Sequence, residues 1–385
     1  MNKPFSLVNR LEAERSLSLE EYRLLIESEN EELRAYAAQK ADAARRRIYG
    51  IDVYLRGLIE VTNICRNDCY YCGIRRSNGA CVRYNLSDED IAACCETGYA
   101  LGFRTFVLQG GEGTLSAERT VRIVSDIKRH YPDCAVTLSL GEYEESEYKL
   151  MREAGADRYL LRHETADKEH YQKLHPKTMS FEHRMHCLSA LRSLGFAVGC
   201  GFMVGSPYQT AECLAKDLKF VEEFSPEMCG IGPFLPQKDT PFGKEPAGSA
   251  ETTIFLLSLL RLIKPSLLLP ATTALGTALP DGRERGLRAG ANVIMPNLSP
   301  VSVRKQYSLY DNKICTGEEA AECRDCLVRR VESAGYRILP SRGDPCGEQL
   351  PRSCILMVRI QLRTYGEYSR KIGFRWSRLA APQLP

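Results

Sequence analysis

At 385 residues, 44% apolar and a formal charge of +3, the chain can fold as one large barrel or two ordinary domains. From Pro351 onward seven basic residues face the single acidic Glu367, which leaves 45 basic against 48 acidic residues elsewhere and argues against nucleic acid as a partner. The 16 Cys are scattered without a disulfide-like framework, which suits a reducing compartment and metal ligation; no apolar leader opens MNKPFSLVNRLEAERSLSLEEYR and no stretch approaches the roughly 18 apolar residues of a membrane span, so the expected location is cytoplasmic.

Residues 1–50 read as an N-terminal helical cap. LSLEEYRLLIES begins at Ser18 with Glu21 three residues on, a capping box, and ENEELRAYAAQKADAARRRIYG runs to Gly50. Beyond it, short β-rich runs at 57–61, 104–108, 135–140, 158–161, 197–204, 228–232, 267–270 and 292–295 alternate with amphipathic runs, Ser87/Asp90 marking a second capping box and Ser116 an N-cap. Such alternation predicts α/β architecture, a parallel sheet with helices outside. Eight units over 51–305 fit a (βα)8 TIM-type barrel, for which roughly 250 residues is typical; no G-x-G-x-x-G follows a strand to favour an open doubly wound sheet. Residues 306–345 form a Cys-bearing C-terminal extension, and 346–385 a basic tail to which no role is given.

A barrel carries its site at the C-terminal ends of its strands. Directly after the first strand come Cys65, Cys69 and Cys72 in GLIEVTNICRNDCYYCGIRR, three thiols in eight residues. Structural zinc wants four protein ligands, whereas iron–sulfur clusters are held by thiolates, and a 4Fe-4S cube with three of them keeps one iron open. A zinc knuckle and a chance run of thiols are the bland alternatives. After the second strand comes Gln109-Gly110-Gly111-Glu112, after the third Ser139, and after the fourth LLRHET, where strand alternation would set Arg162 and Glu164 on one side. A second set, Cys315, Cys323 and Cys326, follows the barrel; a second cluster, a zinc site and free thiols are all open readings. His163, His170, His175, His183 and His186 lack zinc spacing and read as polar helix or loop residues, and the other ten Cys, including Cys346 and Cys354, stay without a role.

The first triad, with Tyr71 just before its last Cys, resembles the signature of the radical S-adenosylmethionine (SAM) superfamily. The resemblance implies that the open iron chelates SAM and that the reduced cluster cleaves it to a 5′-deoxyadenosyl radical. GLIEVTNICRNDCYYCGIRR, ADRYLLRHETAD, MVGSPYQT, GIGPFLPQKDTP, PATTALGT, GANVIMPNLSP and YSLYDNKIC, in that order, are similar to the HydE family of FeFe-hydrogenase maturases over roughly residues 1–345. It implies that Cys65, Cys69 and Cys72 bind the SAM-reactive cluster, that Tyr71, Gln109, Gly110, Gly111, Glu112, Ser139, Arg162, Glu164 and Arg184 hold SAM, and that Thr272, Thr273, Met295 and Tyr307 line the substrate cavity. It further implies a peripheral cluster on Cys315, Cys323 and Cys326, and assembly of the hydrogenase di-iron subcluster from an iron–cysteine–CO–cyanide precursor. The partners it implies are a tyrosine-cleaving radical SAM maturase, a GTPase scaffold and an electron donor such as ferredoxin or flavodoxin. A biotin-synthase-like sulfur inserter, a methylornithine-synthase-like mutase and a non-catalytic iron–sulfur scaffold are the competing functions.

Overall fold

A computed structural model describes residues 3–314 and 324–346, which but for Cys346 lie in one compact unit ending at Pro345. Three helices come first: α1 (Lys3–Glu14), α2 (Leu19–Glu27) and α3 (Glu31–Tyr49). Ser18 and Glu21 exchange both hydrogen bonds of the expected capping box. The helices pack outside the sheet, α2 on helix Ala211–Phe224 and α1 and α3 on helix Ala250–Ile263. Enclosure from several sides explains why that last helix has an apolar surface nearly all round.

Among the described residues eleven short strands follow: β1 (Asp52–Leu55), β2 (Gly57–Thr62), β3 (Thr105–Gly110), β4 (Ala135–Ser139), β5 (Arg158–Leu160), β6 (Ala197–Cys200), β7 (Met203–Val204), β8 (Met228–Cys229), β9 (Gly232–Pro233), β10 (Val293–Ile294) and β11 (Arg337–Leu339). All ladders are parallel. They form a six-stranded sheet ordered β2-β3-β4-β5-β6-β8, a three-stranded sheet β10-β1-β11 and a pair β7-β9. The parallel α/β expectation is met, with the strand candidate at 267–270 reduced to the single bridges Met228↔Leu268 and Pro270↔Val293. A third bridge, Leu58↔Asn297, joins the first strand to the segment after β10, but the regular ladders do not run continuously round. β2 and β4 are buried on both faces, as parallel strands between helices and a filled interior must be, while β11 at the edge stays partly exposed.

The C-terminal extension contributes to this unit rather than standing apart from it. Tyr307 and Lys313 reach the strand ends, β11 pairs with β1, and Arg342 and Asp344 close on Arg158 and Asp157 at the opposite end.

Candidate functional site

The stretch after β2 is a loop clamped by its neighbours. The Arg66 amide donates to the Glu112 carbonyl (2.8 Å), the Glu112 amide to Cys65 Sγ (3.4 Å), the Tyr70 amide to the Leu174 carbonyl (3.0 Å) and the Gly73 amide to the Leu309 carbonyl (2.9 Å). Gly111 makes this approach feasible, since a Cβ there would stand 2.1 Å from the Ile64 carbonyl oxygen. β3 extends through Gly110, so Gln109 and Gly110 lie on the strand end and only Gly111 and Glu112 form the turn.

Cys65, Cys69 and Cys72 are half-buried free thiols. Burial first, then the neighbouring thiols, push Cys69 well up and Cys72 to about 12. They are therefore neutral thiols unless a cation displaces the proton, as iron does. Among the described residues no three His, Cys, Asp or Glu side chains converge tightly enough for a single metal ion. Three thiols supplied by one loop suit an iron–sulfur cluster, whose ligands sit on separate irons, whereas structural zinc wants four protein ligands. The donor set thus fits an iron–sulfur cluster better than zinc. Met179 Sδ packs 3.7 Å from Cys69 Sγ, and the Tyr71 hydroxyl meets His175 Nε2 at 3.1 Å.

Beside this loop the parallel register places Glu60, Gln109 and Ser139 in one row across β2, β3 and β4. Gln109 Nε2 donates to the Tyr307 hydroxyl (3.3 Å), and Lys313 Nζ pairs with Glu60 and donates to the Tyr307 carbonyl (2.8 Å). Glu60 was missed in the sequence, although a lone carboxylate in an apolar strand was the available signal; its partner lies 253 residues away. Thr272 has its hydroxyl engaged in capping helix Thr273–Ala278. Thr273 and Met295 are half-buried.

Arg162 and Glu164 form an ion pair at 3.1 Å, though not for the expected reason. β5 ends at Leu160, and Glu164 has φ +65°, a left-handed backbone that brings the side chains together without strand alternation. Such a conformation costs about 1–3 kcal/mol in a residue with a Cβ and persists where surrounding structure enforces it, often at functional sites. Arg162 Nη2 and Glu164 Oε2 are spent on each other, whereas Arg162 Nε is buried without a hydrogen-bond partner, so a polar valence remains for a polar ligand. Arg184 is buried between Glu112 (3.3 Å) and Glu142 (2.6 Å), with Arg66 on the far side of Glu112 (3.3 Å). The two carboxylates hold its guanidinium firmly charged despite burial. Burial keeps the Tyr71 hydroxyl protonated, and Cys69, Glu164 and Arg162 all lie within its electrostatic reach, which ties this group to the thiols.

The histidines lie on helices and loops as expected, but His163, His170 and His175 are buried and individually bonded, His175 stacking on Tyr171 at 4.0 Å. Of the second triad, Cys315 and Cys323 lie outside the described residues, and Cys326 is exposed on helix Arg324–Ser333. Among the unassigned Cys, seven are buried, while Cys81 and Cys346 are half-buried; Cys354 lies outside the described residues.

Residues 59–221 match the family described as the Radical SAM superfamily. The chain is 45% identical over 298 residues to the [FeFe] hydrogenase maturase subunit HydE of Thermotoga maritima, covering 77% of this chain and 85% of that protein. A methylornithine synthase crystal structure aligns with a TM-score of 0.72 at 26% identity, covering 86% of this chain and 97% of that one. The [FeFe]-hydrogenase maturase HydG, at TM-score 0.73 and 20% identity over 87% and 76% of the two chains, shares the fold.

Proposed function

Because the chain belongs to the radical SAM superfamily and, within it, to the HydE family of hydrogenase maturases, we propose that it assembles the di-iron subcluster of the FeFe-hydrogenase active site, acting on an iron–cysteine–CO–cyanide precursor. As a radical SAM enzyme it uses a 4Fe-4S cluster and SAM. Together these supply a 5′-deoxyadenosyl radical by reductive cleavage. In this reading Cys65, Cys69 and Cys72 hold the cluster, the Gln109–Glu112 segment and Ser139 contact the methionine end of SAM, Arg162 and Arg184 its carboxylate, and Glu164 its ribose. Tyr71 wedges between the Cys loop and these groups, and Met179 covers Cys69 against water. Gln109, Tyr307, Thr272, Thr273 and Met295 border the substrate, with the Glu60–Lys313 pair beside them. Eight-stranded closure belongs to the same reading, supported by the bridges at 268, 270 and 297; an enclosed interior shields a radical and a labile organometallic from side reactions.

The observation that carries the proposal is the gathering of three neutral thiols with the Arg162–Glu164 ion pair at the ends of parallel strands. A sulfur inserter would want thiols that reach a cluster in the interior. The paired Cys200 and Cys229 instead neighbour Asp217 and Arg192 on the outer helices. We further infer a second cluster on Cys315, Cys323 and Cys326, partner maturases that cleave tyrosine and supply a GTPase scaffold, and a ferredoxin- or flavodoxin-type electron donor. Anaerobic maturation of apo-hydrogenase with SAM, reductant and the partner maturases, with and without this protein, tests the role. Hydrogen evolution is expected only with it; equal activity without it would return the substrate question to the mutase and sulfur-inserter readings.

A further inference from the structure

His163 and Asp217 have no part in the reaction above, yet both are 0% exposed. His163 stands between Arg162 and Glu164 in the chain; Asp217 comes from helix Ala211–Phe224. The Gly201 amide donates to His163 Nδ1 (3.3 Å), so this nitrogen accepts and the ring proton sits on Nε2, which donates to Asp217 Oδ1 (3.2 Å). The same Oδ1 accepts the Ala166 amide (2.5 Å). Between these fastenings the Glu164 amide donates to the Gly201 carbonyl (2.9 Å) and the Met203 amide to the Glu164 carbonyl (3.3 Å). The left-handed residue is therefore held at 163 and 166 by one carboxyl group and at its own backbone by the segment after β6. Phe202 and Phe220 flank the imidazole, with centroids at 5.8 and 4.6 Å.

Packing alone does not call for this arrangement. Burial pushes the Asp217 carboxyl well up and the His163 imidazole down to about 3, and Asp217 Oδ2 has no partner. An apolar pair of similar volume would avoid that desolvation cost. What an apolar pair lacks is a group accepting from residues 163 and 166 at once, which pins the turn between them.

We propose that His163 and Asp217 are positioning residues for the SAM site, holding Glu164 in its left-handed conformation so that its carboxylate stays beside Arg162 and open to the ribose hydroxyls. The inference rests on the reading that Glu164 binds SAM. The test is anaerobic calorimetry of SAM binding to the full-length, cluster-loaded protein, with iron content and Tm measured alongside. Asp217→Leu is expected to weaken SAM about tenfold, near 1.4 kcal/mol, with iron content kept. Asp217→Asn retains an oxygen acceptor for both donors and is expected to stay within about twofold of wild type. The double variant Asp217→Leu/Glu164→Ala is expected to bind no more weakly than Glu164→Ala alone, because the effect runs through Glu164. Should Asp217→Leu fail to load iron, His163→Leu, which loses both the donor toward Asp217 and the acceptor for Gly201, carries the same test, with SAM weakened severalfold at normal iron content. Wild-type affinity in the variant that loads iron, or losses that add in the double variant, would overturn the positioning role. Wild-type affinity in Glu164→Ala would instead overturn the underlying reading of Glu164.

Discussion

The N-terminal helices and the loops at the strand ends follow opposite rules. In and around the helices, several polar side chains bond one another or the backbone. Ser18 and Glu21 close a capping box, Glu222 receives the Ser16 and Tyr22 hydroxyls at 2.6 and 2.7 Å, and the buried Arg45 donates to three backbone carbonyls. At the strand ends, charged side chains are buried in the pairs Arg162–Glu164 and Arg184–Glu142, Arg162 Nε has no hydrogen-bond partner, and Glu164 is held in a strained backbone. The first region is arranged for stability alone. The second, on the proposed function, gives up some stability in the Glu164 turn to keep polar groups in place for a ligand.

The contrast can be broken most sharply at the thiols. Cys69→Ala should abolish 5′-deoxyadenosine formation from SAM, because the cluster loses a ligand, while the circular dichroism of the fold persists; residual product would contradict the cluster assignment. Lys313→Met leaves the 1%-exposed Glu60 carboxylate uncompensated and should cost about 3–5 kcal/mol in denaturant unfolding, with Glu60→Gln in the same chain restoring much of it. Glu164→Gly sharpens the comparison in one residue. Glycine accepts positive φ, so stability should rise by about 1 kcal/mol while SAM affinity falls about tenfold, near 1.4 kcal/mol. A parallel loss of both would place Glu164 among ordinary structural residues.

Ser18→Ala, in the other region, should cost about 1 kcal/mol and leave SAM affinity unchanged. The smallest effect is on pH. The Arg10 guanidinium holds the Glu21 carboxyl at about 2 against an ordinary 4.5; a depressed pKa adds stability above the ordinary value that is lost as pH falls through about 4.5 toward 2. Glu21→Gln should flatten that part of the stability–pH curve measured by thermal unfolding.

Much of the fold was legible because its determinants are local. Strand–helix alternation, Ser18/Glu21 and Ser87/Asp90 are patterns within a few residues, and both capping boxes form. The Cys triad was equally legible, since its spacing lies within one loop. What was not legible depends on residues far apart in the chain. Lys313 reaches Glu60 across the whole fold, and Asp217 gives meaning to His163, which sequence alone reads as a loop histidine. That Arg162 and Glu164 share one side was anticipated, but from strand alternation, when a left-handed turn brings them together. The weak strand at 267–270 shows the limit of an apolar run as a strand signal, since LLLP carries no partner information and forms only single bridges.

The most direct test of the account is reductive SAM cleavage by the reconstituted protein, run anaerobically and quantified as 5′-deoxyadenosine per chain, in wild type and in Cys65→Ala, Cys69→Ala and Cys72→Ala. Turnover in wild type and none in any single variant is the predicted result. A wild-type protein that binds iron at all three thiols yet cleaves no SAM would contradict the account and make the loop an iron–sulfur scaffold.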